Sequence, residues 1–138
     1  MTIEELKNLT QKHNEHTPKH RKDLEHQLQV ACVKWFSAQY PHLRNALFAV
    51  PNGGRRDAAT GRKLKDEGVL PGVADLLLAI SRGPYNMLCV EMKTPTGRQS
   101  ESQKQWQQFI QQYGPAKYII CRTIDDFINE IKSYLSAQ

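Results

Sequence analysis

The chain has 138 residues, 39% of them hydrophobic and 24% charged, which suits one globular domain with a single core. Its 19 lysines and arginines against 14 acids leave a net charge of +5, compatible with a nucleic-acid partner without requiring one. No apolar run approaches the ~20 residues that span a bilayer, and the polar opening "MTIEELKNLTQKHNEH" has no signal-peptide core, so an intracellular protein without a membrane partner is expected.

Residues 1–20 form a polar arm with a short helix, carrying His13, His16 and His20. With no acid or cysteine to complete a set, these read as surface histidines. The rest, 21–138, reads as one domain. A helix is predicted over 21–39, where Leu24, Leu28, Ala31, Cys32, Trp35 and Phe36 recur at helical spacing and Pro41 stops the run. "NALFAVPN" is a strand closed by Pro51 and Asn52-Gly53-Gly54. A short helix over 56–67 ends at Gly68. "ADLLLAIS" and "NMLCVEMK" are two strands flanking "SRGPYN". A helix over 99–113 sets Trp106, Phe109, Ile110 and Tyr113 on one side before Gly114-Pro115. "AKYIICR" is a further strand. "TIDDFINEIKSYLSA" is a closing helix, with Thr123 as N-cap and a stripe of Ile124, Phe127, Ile128, Ile131 and Leu135. Strands without strict alternation predict an α/β fold, a sheet of about four strands covered by helices on both faces. Cys32, Cys89 and Cys121 each sit in an apolar run and read as small buried hydrophobes in a reducing compartment.

Charged residues stand where these strands should be apolar. Asp75 opens the first of the two central runs, and Glu91 and Lys93 close the second. Turns centred near Gly83 or Pro84 set Asp75 opposite either Glu91 or Lys93, and both registers gather the three charges at one end of the sheet. Glu91 and Lys93 are two apart and share a face, while Met92 points to the other. An unpaired buried carboxylate is very costly. Two readings remain: an internal salt bridge, or a divalent cation held by Asp75 and Glu91 with Lys93 beside it. Hard cations take oxygen ligands, and an acid pair with a lysine suits phosphodiester cleavage. The tripeptide Glu-x-Lys is not selective, since it also starts at Glu5 and Glu130, but only the copy at Glu91 ends an apolar strand.

Two helical residues join the candidates. Glu25, with Gln29 one turn on, lies beside the first apolar stripe, and Gln103 lies one turn before Trp106. Each is either an accessory to the acids or an ordinary boundary residue. The basic connection "NGGRRDAATGRKLKDEG" supplies Arg55, Arg56, Arg62, Lys63 and Lys65, which with Asn52 and Arg98 are the candidate DNA contacts. A solvated loop face is the equal alternative.

"PGVADLLLAI" followed by "CVEMKTPTGRQSESQKQW" resembles the VRR-NUC group of the PD-(D/E)xK nuclease superfamily. The resemblance takes in Glu25-x-x-x-Gln29, "PNGG", "LKDEGVLPG" and Ser100-x-x-Gln103, and covers about residues 22–130. It implies a restriction-endonuclease-like core in the order α-β-β-β-α-β-α. It also implies Asp75, Glu91 and the backbone carbonyl of Met92 as ligands of Mg²⁺ or Mn²⁺, Lys93 as catalytic lysine, Glu25 as a supporting acid and Gln103 as an accessory residue. Ala74 rather than proline precedes Asp75, the usual form in this group. Free-standing members, many of them phage or bacterial, are similar to archaeal Holliday-junction resolvases and act as homodimers. The expectation is a structure-selective, metal-dependent DNA endonuclease cutting four-way junctions in the cytoplasm of a bacterial or phage-infected cell. The alternatives are a flap, nicking or restriction-like nuclease with the same site, and a non-catalytic basic DNA-binding module.

Overall fold

The computed structural model describes residues 2–5, 18–51 and 57–138. Residues 3–5 are helical, while residues 6–17 of the predicted arm, with His13 and His16, lie outside the described residues, and its last three, to His20, belong to the next helix. Helix α1 (Pro18–Gln39) begins three residues before its predicted start, with proline at its first position, where a missing N–H costs nothing. A 3₁₀ turn (Arg44–Ala46) leads into strand β1 (Leu47–Ala49), and helix α2 (Ala58–Asp66) follows. Strands β2 (Leu76–Leu78) and β3 (Met87–Met92) come next, then helix α3 (Glu101–Tyr113), strand β4 (Ala116–Cys121) and helix α4 (Ile124–Ser136). Each element predicted over 21–138 is present, with strand ends trimmed to the residues that pair.

The sheet order is β1-β2-β3-β4; the first two pairings are antiparallel and β3–β4 is parallel. A parallel pair needs a crossover, and α3 supplies it. One sheet face carries Leu76, Leu78, Leu88, Val90, Met92, Ile119 and Cys121 against α1 and α4. The other carries Cys89, Ala116 and Tyr118, with Trp106 and Ile110 of α3 packed on them. All three cysteines are buried free thiols. Among the described residues, no helix is long and apolar enough to cross a membrane.

Two apolar stripes differ from expectation. On α4 the buried residue of the last turn is Tyr134, and Leu135 is only partly covered. On α3, Trp106 and Ile110 face the sheet, but Phe109 is 58% and Tyr113 71% exposed, their rings meeting at a tilt with centroids 4.8 Å apart. A lone helix on a short sheet covers only a narrow strip of it, so half of a wide apolar arc is left outside.

Register is set by an irregularity. Arg82 and Tyr85 exchange backbone hydrogen bonds of 3.0 and 2.9 Å across Gly83-Pro84. Continued without interruption, that pairing would set Asp75 opposite Met92. The strands pair instead as Leu78↔Leu88 and Leu76↔Val90, so three residues (79–81) stand against two (86–87), a one-residue bulge. The carbonyl of Ile80 in the bulge accepts the Tyr134 hydroxyl of α4, and Asn86 N–H donates to Pro115 O at 2.9 Å. The register extends to Asp75 opposite Glu91.

Gly72 fixes α3 against the approach to Asp75. Its φ is +86°, and a Cβ there would lie 2.3 Å from the Ser102 carbonyl oxygen. Gly72→Ala is therefore expected to destabilise by about 3 kcal/mol, through left-handed strain and a backbone overlap that cannot relax without moving α3. Gly61→Ala is the control. It sits within α2 with nothing inside 4 Å of its Cβ, and should stabilise by about 0.5–1 kcal/mol. Urea midpoints measure both. A Gly72→Ala loss below about 0.5 kcal/mol would contradict the contact.

Candidate active site

The bulge brings two acids together. On β3 the Lys93 N–H bonds Cys121 O of β4 at 3.0 Å, so N–H groups of odd residues face β4 and those of even residues face β2. Asp75 and Glu91 thus fall at a non-hydrogen-bonded position, where facing side chains are closest. The next ladder bond is replaced: Met92 N–H donates to Asp75 Oδ2 at 2.7 Å instead of a β2 carbonyl. In an extended strand a residue's N–H and C=O point the same way, so the Met92 carbonyl is aimed toward Asp75 as well. Asp75 is anchored on its other side too, its own carbonyl accepting Val50 N–H at 2.9 Å.

Glu91 is 1% exposed and Lys93 7%. Gln103 Nε2 donates to Glu91 Oε1 at 2.8 Å. The Gln103 Oε1 is occupied by the Ser100 N–H at 2.8 Å, within the capping box that starts α3, so its amide has one orientation and presents NH₂ to the acid. Tyr118 of β4 donates its hydroxyl to Glu91 Oε2 at 3.5 Å and accepts from Gln99 Nε2 at 3.2 Å. Burial and the Glu91 charge push the Tyr118 phenol up, keeping it a donor.

The charges do not balance. Lys93 Nζ lies 3.9 Å from Glu91 Oε1, inside ion-pair range and beyond hydrogen-bond length. Burial first, then the Asp75 charge and a hydrogen bond between the two carboxyls, push Glu91 up to about 9; Lys93 pulls it down by less. Glu25 on α1 joins the same field: burial raises its carboxyl, Lys93 lowers it and Asp75 raises it. Arg21 and Lys22 lower the Glu25 carboxyl as well, so the imbalance is at Asp75 and Glu91, where among the described residues one lysine faces the acid pair.

The predicted residues therefore divide. Asp75, Glu91, Lys93 and Gln103 converge, with the Met92 backbone beside them, and Glu25 feels them from α1. Arg62, Lys63 and Lys65 are exposed on α2, and Arg98 is exposed directly after Gly97. Asn52, Arg55 and Arg56 lie outside the described residues. Sequence reasoning passed over Tyr118, Gln99 and Arg122. Arg122 carried a usable signal, a charge ending an apolar strand, the same feature that singled out Lys93.

A hard divalent cation fits this donor set. Glu91, buried, and Asp75, half-buried, share one end of the sheet, and strand geometry aims the Met92 carbonyl the same way as its N–H. Among the described residues, no group of three His, Cys, Asp or Glu side chains is placed to hold a metal ion, so Glu25 does not join Asp75 and Glu91 in one ligand cluster as the sequence led us to expect.

The site thus sits on a four-stranded mixed sheet flanked by helices, with an Asp–Glu pair and a lysine at one strand end. The chain belongs to the VRR-NUC domain family, whose model matches residues 11–123, and membership implies a nuclease-type function with DNA as substrate. A solved structure described as a VRR_NUC domain protein is similar in fold, with a TM-score of 0.71 and 24% identity, covering 82% of this chain and 88% of that one. No curated protein matches the sequence.

Proposed function

We propose that the protein is a divalent-metal-dependent DNA endonuclease, selective for branched DNA and acting as a homodimer on four-way junctions. The observation that carries the metal reading is the Asp75–Glu91 juxtaposition: two facing acids, one fully buried, with a single lysine at 3.9 Å as nearby compensation. Asp75, Glu91 and the Met92 carbonyl would hold Mg²⁺ or Mn²⁺, with Glu25 supporting from α1. When bound, such an ion polarises the scissile phosphate and acidifies a water.

The chain's own residues do the rest. Lys93, tethered to a rigid strand end, sets a positive charge beside the acids, where it orients the attacking water and offsets charge growing on the phosphate. Gln103 and Tyr118 hold the Glu91 carboxylate by one donor on each oxygen, leaving its remaining lone pairs for the ion. Arg62, Lys63, Lys65 and Arg98, with Asn52, Arg55 and Arg56, are the proposed phosphate contacts; such contacts supply affinity rather than sequence preference. Two sites related by a two-fold axis suit paired cuts in a four-way junction.

The test is cleavage of synthetic four-way, flap and linear duplexes with Mg²⁺, with Mn²⁺ and with chelator, alongside a solution mass. Symmetric paired nicks in the junction, abolished by chelator, and a dimer mass are expected. Preferential cutting of flaps or linear duplex would move the substrate assignment while keeping the site. DNA binding with no cleavage under either ion would replace the enzyme reading with a binding module.

A further inference from the structure

The turn that follows Lys93 is gripped from outside the site. Arg122 is the first residue beyond β4, and its backbone N–H donates to Asp126 Oδ2 at 2.9 Å. That carboxylate also accepts the Thr123 N–H at 3.2 Å in the capping box of α4, so Arg122 leaves a rigid junction. Its Nη1 donates to the carbonyl oxygens of Thr94 at 2.7 Å and Gly97 at 2.6 Å, with that of Pro95 at 3.4 Å. An NH₂ group has two hydrogens, so both short bonds form at once and draw the two ends of the turn to one point. Gly97 N–H closes the same turn onto Thr94 O at 3.1 Å. These are charge-assisted bonds, stronger than those between neutral groups.

The turn is packed on the lysine. A Cβ placed on Gly97 would lie 2.9 Å from Thr94 Oγ1 and 3.6 Å, ordinary contact, from Lys93 Cδ, so the turn runs alongside the Lys93 stem and a side chain added there would press on Thr94 first. Three residues beyond Gly97 the chain reaches Ser100, whose capping box orients Gln103 toward Glu91. The hydrogen bonds of the Arg122 side chain go to backbone carbonyls rather than to the acids.

We propose that Arg122 is a positioning residue of the nuclease site, clamping the Thr94–Gly97 turn so that the Lys93 ammonium and the start of α3 are held in one fixed relation to the acids. The proposal rests on the metal-nuclease reading for its catalytic consequence, but not for the clamp. A 1 Å displacement of a catalytic group can cost about 10²-fold in rate. Arg122→Met, which keeps the stem and removes every donor, should lower kcat about 10–100-fold. Divalent-ion affinity by calorimetry should stay within about 2-fold, because the Met92 N–H on Asp75 and the Tyr118 hydroxyl on Glu91 come from strands the turn does not carry, and the Ser100 capping box keeps Gln103 oriented within α3. Arg122→Lys, which can still donate to both carbonyls, should recover most of the loss. Millimolar guanidinium should restore part of the activity of Arg122→Met and none of that of Lys93→Ala.

One readout is independent of cleavage. Reductive methylation of Lys93, followed by mass spectrometry, should run about tenfold faster in Arg122→Met than in the wild type, as the freed turn uncovers the amine. Gly97→Ala disturbs the same turn from its other side and should show the same pairing of lower kcat with unchanged ion affinity, which keeps the test available if Arg122→Met folds poorly. Unchanged methylation and kcat would overturn the clamp. A parallel fall in ion affinity would also overturn it, by showing general loosening instead. A wild type that cuts no DNA under either ion would sink the nuclease reading alone, since methylation still reports on the clamp.

Discussion

Lys93→Ala is expected to lower metal-dependent cleavage about 10²–10³-fold while divalent-ion binding by calorimetry stays intact, the range for losing one preorganised electrostatic group. The separation follows from geometry. Lys93 offers only donors, so it ligates nothing, and at 3.9 Å from Glu91 it holds no short bond whose loss would release the acid. Its removal strips compensating charge from a buried acid pair, which should make ion binding slightly tighter rather than weaker. Asp75→Ala and Glu91→Ala should show the opposite pattern, losing calorimetric binding together with cleavage. Asp75→Ala carries a further cost, because the Met92 N–H loses its acceptor; a buried donor left unmade costs about 1–3 kcal/mol. Full cleavage by Lys93→Ala would remove the lysine from the mechanism. Loss of ion binding in that variant would return the cluster to a structural ion pair.

The second large effect is a stability that runs against activity. Glu91 has its carboxyl pushed up to about 9 by burial and by Asp75, whereas in the unfolded chain it returns to about 4.3. The folded state therefore holds this proton more tightly than the unfolded state does. The contribution is fully present below the ordinary glutamate value and is lost as pH rises through the window up to about 9. Metal-free protein should melt at progressively lower temperature from pH 5 to pH 9. Saturating Mg²⁺ or Mn²⁺ should offset the fall, since an ion at 100 times its Kd adds about 2.7 kcal/mol. Glu91→Gln should flatten the pH profile and raise metal-free stability at pH 8 by about 1–3 kcal/mol, because the amide is already neutral and needs no proton taken up on folding, while still accepting from Gln103. The same variant should be inactive. Calorimetric scans against pH, with and without ion, decide the matter. A metal-free melting temperature that rises from pH 5 to pH 9 would contradict the buried acid pair.

The elements were legible because each rests on local chemistry. Helix α1 shows its predicted stripe, with Leu28, Ala31, Cys32, Trp35 and Phe36 buried and Leu24, near its start, half-buried. Thr123 and Ser100 begin their helices with capping boxes, and Gly68, with φ of +101°, follows the end of α2. The convergence of Asp75, Glu91 and Lys93 was legible too, because any tight connection between two adjacent strands returns the chain to the same end of the sheet. Arg122 showed locally only as a charge ending an apolar strand, and what it grips was not legible, since its partners lie 25 to 28 residues earlier. No local pattern marks a side chain whose acceptors are backbone carbonyls.

The sequence by itself determined which residue types end the apolar strands, and so which acids and which lysine a site would use. Only the tertiary structure decided how they meet. A regular hairpin from Arg82–Tyr85 would have turned Asp75 toward Met92, one residue out and on the wrong face. The bulge over 79–81 corrects this, and it is held by bonds from Tyr134 on α4 and from the Pro115 carbonyl ahead of β4. A one-residue shift costs nothing in the local preferences of a Leu-Leu-Leu strand. Contacts arriving from the far end of the chain therefore choose the register, and with it the pairing of Asp75 with Glu91.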